Sequence, residues 1–587
     1  MEKWFVTSKK ADFKEIGKKF GIDPVTARII RNRDVTGDDN IRLFLSGTLS
    51  DLPDAHLFKD ADRLVSILCD DIQNHRKIRI IGDYDIDGVC STYILWKALE
   101  TAGAAVDIAI PDRMKDGYGL NRNLIEDASI DGINTILTCD NGIAALEAIT
   151  AAKGMGMTVL VTDHHQVPFE EKDGERMELK SSADAVVNPH QEECLYPYKD
   201  LCGAGVAWLV VTLLYDRLGI PSSEALPLLE FAAFATVGDV MPLTGVNRIL
   251  VKEGLKRIHE TENTGLKALI AACGLMPEQI DSYHFGFILG PCVNASGRLE
   301  TAVEALNLFR ETDEAKAEEM AQHLVALNEE RKNLTTEGVE QAVAAYETNH
   351  YENDRVLVIY LPDVHESIAG IIAGRIRERY YRPVFILTKS ADGGVKGSGR
   401  SVEEYSMYEE MCKCSTLLSK FGGHPMAAGL SLPEENVDEF RRQMSENCTL
   451  AMEDLVAKVH IDVPMPVSYV TEPLIREFSL LAPFGTGNPK PVFADKNLSV
   501  VNMRVMGKNR NVVKFSLRNS AGVVITAIWF GDCEEILGYI REKFGEEALN
   551  NALSGRENPV TLSIVYNPQI NEFRGVESIE FIIQNYC

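Results

Sequence analysis

The apolar positions of this chain fall into successive regimes. Residues 1 to about 50 repeat at helical spacing, and Asp23-Pro-Val-Thr-Ala-Arg-Ile-Ile30 reads as a helix with an early proline, closed by Arg31-Asn-Arg33. From about residue 60, short and wholly apolar runs alternate with helical stretches. Ile78–Ile81, Val106–Ile110, Thr135–Thr138, Thr158–Thr162 and Ala185–Val187 predict strands, and segments near 89–102, 122–128, 143–153 and 203–217 predict helices. This alternation predicts a parallel sheet wound by right-handed crossovers, with ligands beyond the carboxyl ends of its strands. Phe234–Val237 reads as a further strand-like run. Residues 300–347 predict long helices that connect domains. A second α/β unit follows at about 350–450, with strands at Val356–Tyr360 and Pro383–Leu387. Beyond it, the short alternating runs Ser499–Arg504, Val512–Leu517, Val523–Trp529 and Val560–Val565 predict a small antiparallel barrel or sandwich.

Composition narrows the class. A length of 587 residues predicts about three to five domains. Hydrophobic content of 45% and charged content of 25% are ordinary for a soluble globular protein. The formal charge of −27 excludes broad adhesion to DNA or acidic membranes but leaves room for a local basic groove. No apolar run is long enough to span a bilayer, and the opening Met1-Glu-Lys-Trp4 does not read as a signal peptide. The 12 cysteines contain no CxxC pair; this usage suits a reducing cytoplasm without structural zinc, and Cys412-Lys-Cys414 reads as incidental.

Candidate chemistry starts at Ile81-Gly-Asp-Tyr-Asp-Ile-Asp-Gly88. Asp83, Asp85 and Asp87 crowd one turn after a strand, and their mutual repulsion calls for a cation. The spacing matches the start of an EF-hand loop. The preceding strand and Ile94 at the twelfth loop position, which needs a glutamate, exclude that motif. Three further motifs follow strand-like runs: Cys139-Asp140-Asn141-Gly142, Asp163-His164-His165 and Gly238-Asp239-Val240. Taken singly, Asp140-Asn141-Gly142 and Asp239 could equally cap helices. Adjacent histidines after a buried strand are harder to read that way. Together the motifs bring carboxylates and imidazoles mostly to one sheet edge. That donor mix suits Mn²⁺ or Mg²⁺, and ligands suffice for two ions about 4 Å apart, an arrangement suited to phosphoester hydrolysis.

In order along the chain, Asp83-Tyr-Asp-Ile-Asp-Gly88, Asp140-Asn-Gly142, Asp163-His-His165 and Asp239 resemble the four motifs of the DHH phosphoesterase superfamily. Within it the chain is similar, over nearly its whole length, to exonucleases that degrade single-stranded DNA from the 5′ end. Pro111–Leu120, Val187-Asn-Pro189, Gly203-Ala-Gly205, Gly290–Leu299, Lys396–Ser401, Phe421–Gly429 and Pro483–Phe493 carry that likeness. The resemblance implies an N-terminal helical segment (1–55), an α/β, parallel-sheet DHH catalytic domain (56–300) and a long helical connector (301–347). It further implies a smaller α/β DHH-associated domain (348–452) and a C-terminal OB-fold β-barrel that binds nucleic acid (453–587).

It implies Asp85, Asp87, Asp140, His164 and Asp239 as ligands of two divalent cations, Mn²⁺ or Mg²⁺, with Asp140 bridging them. His165 would contact the substrate phosphate or complete the metal shell. Arg113, Ser398 and Arg400 match positions that hold a 5′-terminal phosphate, and Arg298 and His424 lie on motifs facing the cleft. The chemistry agrees: arginine offers phosphate a bidentate fork, and a serine on a glycine-rich turn leaves backbone N–H groups accessible. The implied products are nucleoside 5′-monophosphates, in DNA recombination and repair. The implied partners are single-stranded DNA, single-strand-binding protein and a RecQ-type helicase, with no membrane and a cytoplasmic location.

Two departures from the family pattern stand out. Ile81 occupies a position where several members carry a histidine, and Asp83 is expected to fill that coordination place. Val364 precedes His365 where related chains often carry tryptophan, which predicts altered base stacking or cleft width. Arg375, Arg377, Arg379 and Arg382, with Tyr380 and Tyr381, read either as a wall of a DNA groove or as the solvated side of an amphipathic helix. In the barrel, Arg504, Lys508, Arg510 and Lys514 near Phe515 and Trp529 form a thin basic cluster suited to single strands. Two alternatives remain at this level: a DHH phosphodiesterase acting on short or cyclic oligonucleotides, and a non-catalytic DNA-binding scaffold.

Overall fold

The computed structural model describes residues 2–113, 119–172, 175–390, 393–451, 453–508 and 510–587. Met114–Tyr118, in the middle of the Pro111–Leu120 motif, lie outside the described residues. The chain forms two compact units. One comprises Leu52–Met241 and Ile249–Ala457; the other comprises Met1–Asp51, Pro242–Arg248 and Lys458–Cys587.

The first unit holds two sheets. Strands β1 (Lys77–Ile81), β2 (Ala105–Ala109), β3 (Thr135–Cys139), β4 (Thr158–Thr162) and β5 (Ala185–Val187) form a wholly parallel sheet in the order β2-β1-β3-β4-β5. Ile78, Ile80 and Ile81 are fully buried, as expected where helices cover both faces of a sheet. Helix α1 (Ile86–Thr101) follows β1 directly. Helices α2 (Gly203–Leu218) and α3 (Leu229–Gly238) complete the inner layer. Phe234–Val237, expected as a strand, lies inside α3. That helix is buried on almost every side, so its apolar run carries no periodicity to separate helix from strand.

Helices α4 (Thr264–Ala272), α5 (Gly290–Leu299) and α6 (Glu314–Thr348) follow. The 35 residues of α6 span about 52 Å at helical rise. It buries Ala317, Ala321, Leu324 and Leu327 in its first half and Gly338 and Ala342 in its second.

The second sheet contains β6 (Leu357–Tyr360), β7 (Val384–Lys389), β8 (Val395–Arg400), β9 (Lys420–His424) and β10 (Ala427–Leu432), in the order β9-β10-β8-β7-β6. Helix α7 (Ala369–Tyr380) packs over it. Lys396–Ser401, expected as a glycine-rich turn, is therefore mostly a strand. Phe421–Gly429 is a hairpin. In both, the glycines make room between sheet and neighbours: a Cβ at Gly399 would stand 2.8 Å from the Phe385 ring.

In the other unit β11 (Phe493–Met506), β12 (Val512–Arg518), β13 (Val524–Phe530), β14 (Thr561–Phe573) and β15 (Val576–Tyr586) close into a barrel ordered β11-β12-β13-β15-β14. The N-terminal residues join it. Lys3–Val6 pairs in parallel with Lys458–Ile461, and Ile29, Ile30 and Phe44 share a core with Leu481 and Phe493. The first residues are thus a strand, where helix alone was expected.

Candidate metal centre and phosphate pocket

The Asp83–Gly88 turn has a local reason for each residue. Asp85 caps α1: its Oδ1 accepts from the N–H groups of Asp87 at 3.0 Å and Gly88 at 3.1 Å. Gly88 lies so close to the Asp83 backbone that a Cβ there has no room. Asp87, in the first turn, is clamped by the N-terminus of α2. Its Oδ2 accepts from Gly203 N–H at 2.6 Å and its Oδ1 from Ala204 N–H at 2.7 Å.

The other motifs converge on this turn. Asp140 follows β3 in the left-handed region (φ 58°), a conformation aspartate tolerates better than most residues. Asn141 ties two strand ends together by donating to the carbonyls of Ile81 at 3.0 Å and Cys139 at 2.9 Å. His164 Nε2 lies 3.1 Å from Asp140 Oδ1, 3.5 Å from Asp87 Oδ2 and 3.8 Å from Asp239 Oδ2. Asp239 is the C-cap of α3, not the end of a strand.

Three groups could each hold a cation: Asp83 with Asp85 and Asp140; Asp87 with His164 and Asp239; and Asp140 with His164 and His165. The third shares Asp140 with the first and His164 with the second. Electrostatics calls for the same filling. Burial first, then the surrounding carboxylates, push Asp83, Asp140 and Asp239 well above the usual carboxylate range, and Asp85 upward. Asp83 Oδ1 is buried with no hydrogen-bond partner among the described residues. Ile81, in the departed histidine position, is fully buried in the hydrocarbon core, and Asp83 is the carboxylate grouped with Asp85 and Asp140.

Asp163 was quoted in the sequence motif but given no role there. Its Oδ1 accepts from the N–H groups of His164 at 2.7 Å and His165 at 3.1 Å and from His165 Nδ1 at 2.8 Å; its Oδ2 accepts from Ile143 N–H at 2.9 Å. Burial works against a charge on Asp163, yet the hydrogen bond and charge of His165 hold it below the usual range. Burial lowers His165, but Asp163 outweighs it and raises the imidazole to about 9.

On the other side of Tyr84 lies a cavity of about 740 Å³, lined among others by Arg113, Ser398, Lys396 and Lys420. The Arg113 guanidinium stands 4.9 Å from the Tyr84 ring centre. Arg298 Nη1 donates to the Ser367 carbonyl at 2.7 Å, and Arg400 Nη1 to its neighbour Gly399 at 2.8 Å. Burial, then repulsion from Arg113, Arg331 and Arg400, pulls Arg298 down to about 10. Burial and Arg377 lower Arg400 as well. These guanidiniums stand near one another with mainly neutral partners, which is the electrostatic signature of an anion site. His424 is exposed at the end of β9, and neither it, Arg298 nor Arg400 is among the residues lining the cavity.

Other expectations are corrected. Arg382 is not part of a DNA groove: it is buried and donates to the carbonyls of Tyr351, Glu352 and Asp354. Arg375 and Arg377 both approach Glu378. Val364, by contrast, agrees with the expected change in stacking: it lies in the core and offers no stacking surface. In the barrel Phe515 is fully buried, Arg510 pairs with Glu534, and Lys514 faces Glu580 at 3.7 Å. Sequence reasoning missed the Gly203–Ala204 clamp and Asn294, whose Oδ1 accepts from Ile86 N–H at 2.8 Å. Two glycines opening α2 were the available signal for the clamp.

Fold and site together define a DHH-family protein. The DHH family N-terminal domain matches residues 77–236, the DHHA1 domain matches 353–449 and the RecJ OB domain matches 461–585. The chain belongs to the RecJ family. It is 31% identical to the single-stranded-DNA-specific exonuclease RecJ of Haemophilus influenzae, over 97% of each chain, and 30% identical to that of Escherichia coli, over 96% of each. The Bacillus subtilis relative is 34% identical over 86% of this chain, which spans 63% of that protein's length. The crystal structure of RecJ from Thermus thermophilus in complex with Mn²⁺ superposes with a TM-score of 0.82 at 26% identity, covering 100% of this chain and 79% of that one. The Mg²⁺ complex gives 0.76 at the same identity, covering 100% and 78%.

Proposed function

We propose that this chain is a metal-dependent exonuclease that hydrolyses single-stranded DNA from the 5′ end, releasing nucleoside 5′-monophosphates. The observation that carries the reading is the set of cation-sized groups overlapping at Asp140 and His164 beside a guanidinium cluster. The donors are carboxylates and imidazole; the neighbouring thiols of Cys90, Cys139 and Cys202 are pushed up by burial and stay protonated. Such a set fits Mn²⁺ or Mg²⁺, the ions in the Thermus relatives. Asp83, Asp85 and Asp140 would hold one cation, and Asp87, His164 and Asp239 the other, with Asp140 between them. Bound there, the pair supplies Lewis acidity for in-line attack of water on the phosphodiester.

The protein's own groups do the rest. Asp163 takes Nδ1 of His165 and so orients the ring, leaving its other nitrogen to donate to a phosphate oxygen. Arg113 and Ser398, at the cavity wall, take the terminal 5′-phosphate, whose extra charge relieves the repulsion among Arg113 and the neighbouring Arg298 and Arg400. An internal phosphodiester carries less charge and no free end, which gives the reaction its direction. His424 contacts the strand at the rim. Single-strand-binding protein and a RecQ-type helicase, as suppliers of the strand, rest on family likeness, as does a cytoplasmic location; among the described residues no helix is long and apolar enough to cross a membrane.

The test is Asp140→Asn, chosen because asparagine also tolerates the left-handed backbone found here. With Mn²⁺ and a 5′-phosphorylated single strand, the native protein should release mononucleotides while the variant, folded by circular dichroism, releases none. Full cleavage by a nuclease-free preparation of the variant would overturn the mechanism.

A further inference from the structure

Three of the cysteine sulfurs have partners of another kind. Cys139 meets Thr92, Cys202 meets Thr236, and Cys414 meets Met444 and Asn447. Cys273 and Cys292 meet each other, with their sulfurs 3.9 Å apart. Cys273 is the C-cap of α4 and half-buried, followed by Gly274 in the left-handed region. Cys292 is buried in the first turn of α5. A disulfide needs the sulfurs about 2 Å closer, a shift that a helix end followed by a glycine can supply.

The two thiols differ in the way a reactive pair requires. The close contact with Cys292, whose thiol also approaches the Ile288 carbonyl at 3.3 Å, and the charge of Lys332 hold Cys273 below the usual thiol range against the opposing effect of burial. Its hydrogen bond to Cys273 and burial hold Cys292 protonated. Cys273 is thus the half-exposed nucleophile and Cys292 the resolving thiol beside it.

We propose that Cys273 and Cys292 form an oxidisable dithiol that a hydroperoxide converts to an intrachain disulfide, and that the bond acts on the candidate active site through α5. The Cys273 thiolate attacks the peroxide O–O bond and takes one oxygen; the other oxygen leaves and is protonated to water or an alcohol. The Cys292 sulfur then attacks the sulfenic acid sulfur, and its proton leaves with the hydroxyl as water. Peroxide gains two electrons and the thiol pair loses two. The route to the site is short. Two residues after Cys292, Asn294 accepts from Ile86 N–H in the Asp83–Gly88 turn, and one turn further Arg298 reaches Ser367. Cys292 also accepts from Asn328 Nδ2 of α6 at 3.4 Å, a contact the disulfide alters.

The experiment treats the full chain with a slight excess of hydrogen peroxide under denaturant-free conditions. Expected are a mass loss of about 2 Da and a peptide linking Cys273 to Cys292, both reversed by dithiothreitol. Cys273→Ser should lose the linkage and keep its rate. In the native protein the nuclease rate should fall several-fold on oxidation and return on reduction; in Cys273→Ser that reversible fall should vanish. Absence of the linked peptide, or oxidation confined to exposed Cys412, would overturn the dithiol. A linked peptide with an unchanged rate would overturn the coupling through α5. The mass measurement stands apart from the nuclease reading, so failure of one is distinguishable from failure of the other.

Discussion

The backbone N–H of Gly203 stands 2.6 Å from Oδ2 of Asp87, a residue 116 positions earlier in the chain. The contact aims one carboxylate of the acidic turn by means of a helix N-terminus. It also leaves no room for a side chain: a Cβ on Gly203 would lie 2.7 Å from the Asp140 Cβ and 3.1 Å from Asp87 Oδ2. Gly203→Ala should therefore push Asp87 and Asp140 apart. Exonuclease turnover is expected to fall about 100-fold, the usual cost of a misplacement near 1 Å, while circular dichroism stays native.

Asp163 orients His165 without lying in any of the three candidate cation groups. Asp163→Asn keeps one acceptor but sets an amide against either Ile143 N–H or the histidine N–H groups. The same carboxylate accepts from the His164 N–H, so its loss loosens the seat of a proposed cation ligand, and the Mn²⁺ concentration for half-maximal activity should rise about 10- to 100-fold, the range typical when a ligand's supporting partner is lost. A manganese titration of native and variant protein checks it, and an unchanged midpoint would remove Asp163 from a positioning role.

Arg113 combines a guanidinium with a stacking contact on Tyr84 at the cavity wall. Arg113→Ala should slow cleavage of 5′-phosphorylated strands about 10- to 100-fold, the worth of one charge-assisted hydrogen bond. Strands ending in a 5′-hydroxyl should be affected little. Equal losses on both would mean that Arg113 does not read the terminal phosphate.

Glu230, in α3, is buried and accepts from Thr261 Oγ1 at 2.9 Å; burial raises its carboxyl from the ordinary 4.5 to about 7. Between those values the folded protein keeps a proton that the unfolded chain has released. Stability is therefore greatest at the acid end and falls by about 3 kcal/mol as pH rises through 7. Glu230→Gln should remove that slope, leaving the variant more stable than the native protein at pH about 8 and similar at about 4.5. Urea unfolding followed by tryptophan fluorescence at both pH values reads the difference directly.

The parallel sheet was legible because β1, β3 and β4 are buried on both faces and so appear as continuous apolar runs. The same feature misled at Phe234–Val237, where a helix buried all round looks identical over four residues. Arg382 and Phe515 were assigned by residue type, and residue type carries no record of orientation: Arg382 turned inward to backbone carbonyls and Phe515 to the barrel core. The Gly203–Ala204 clamp was illegible for a different reason, since backbone N–H groups belong to every sequence.

By itself the sequence determined the chemistry of the donors and their local geometry. A strand ending in Gly-Asp-Tyr-Asp-Ile-Asp-Gly must turn and must concentrate negative charge. Only the tertiary structure decided how the three aspartates divide: Asp83 and Asp85 toward Asp140, Asp87 toward His164 and Asp239. The physical reason is that the cap takes Asp85 at the helix mouth and carries Asp87 into the first turn, beneath the N-terminus of α2. Their partners arrive from strands and a helix that only folding brings to one edge of the sheet.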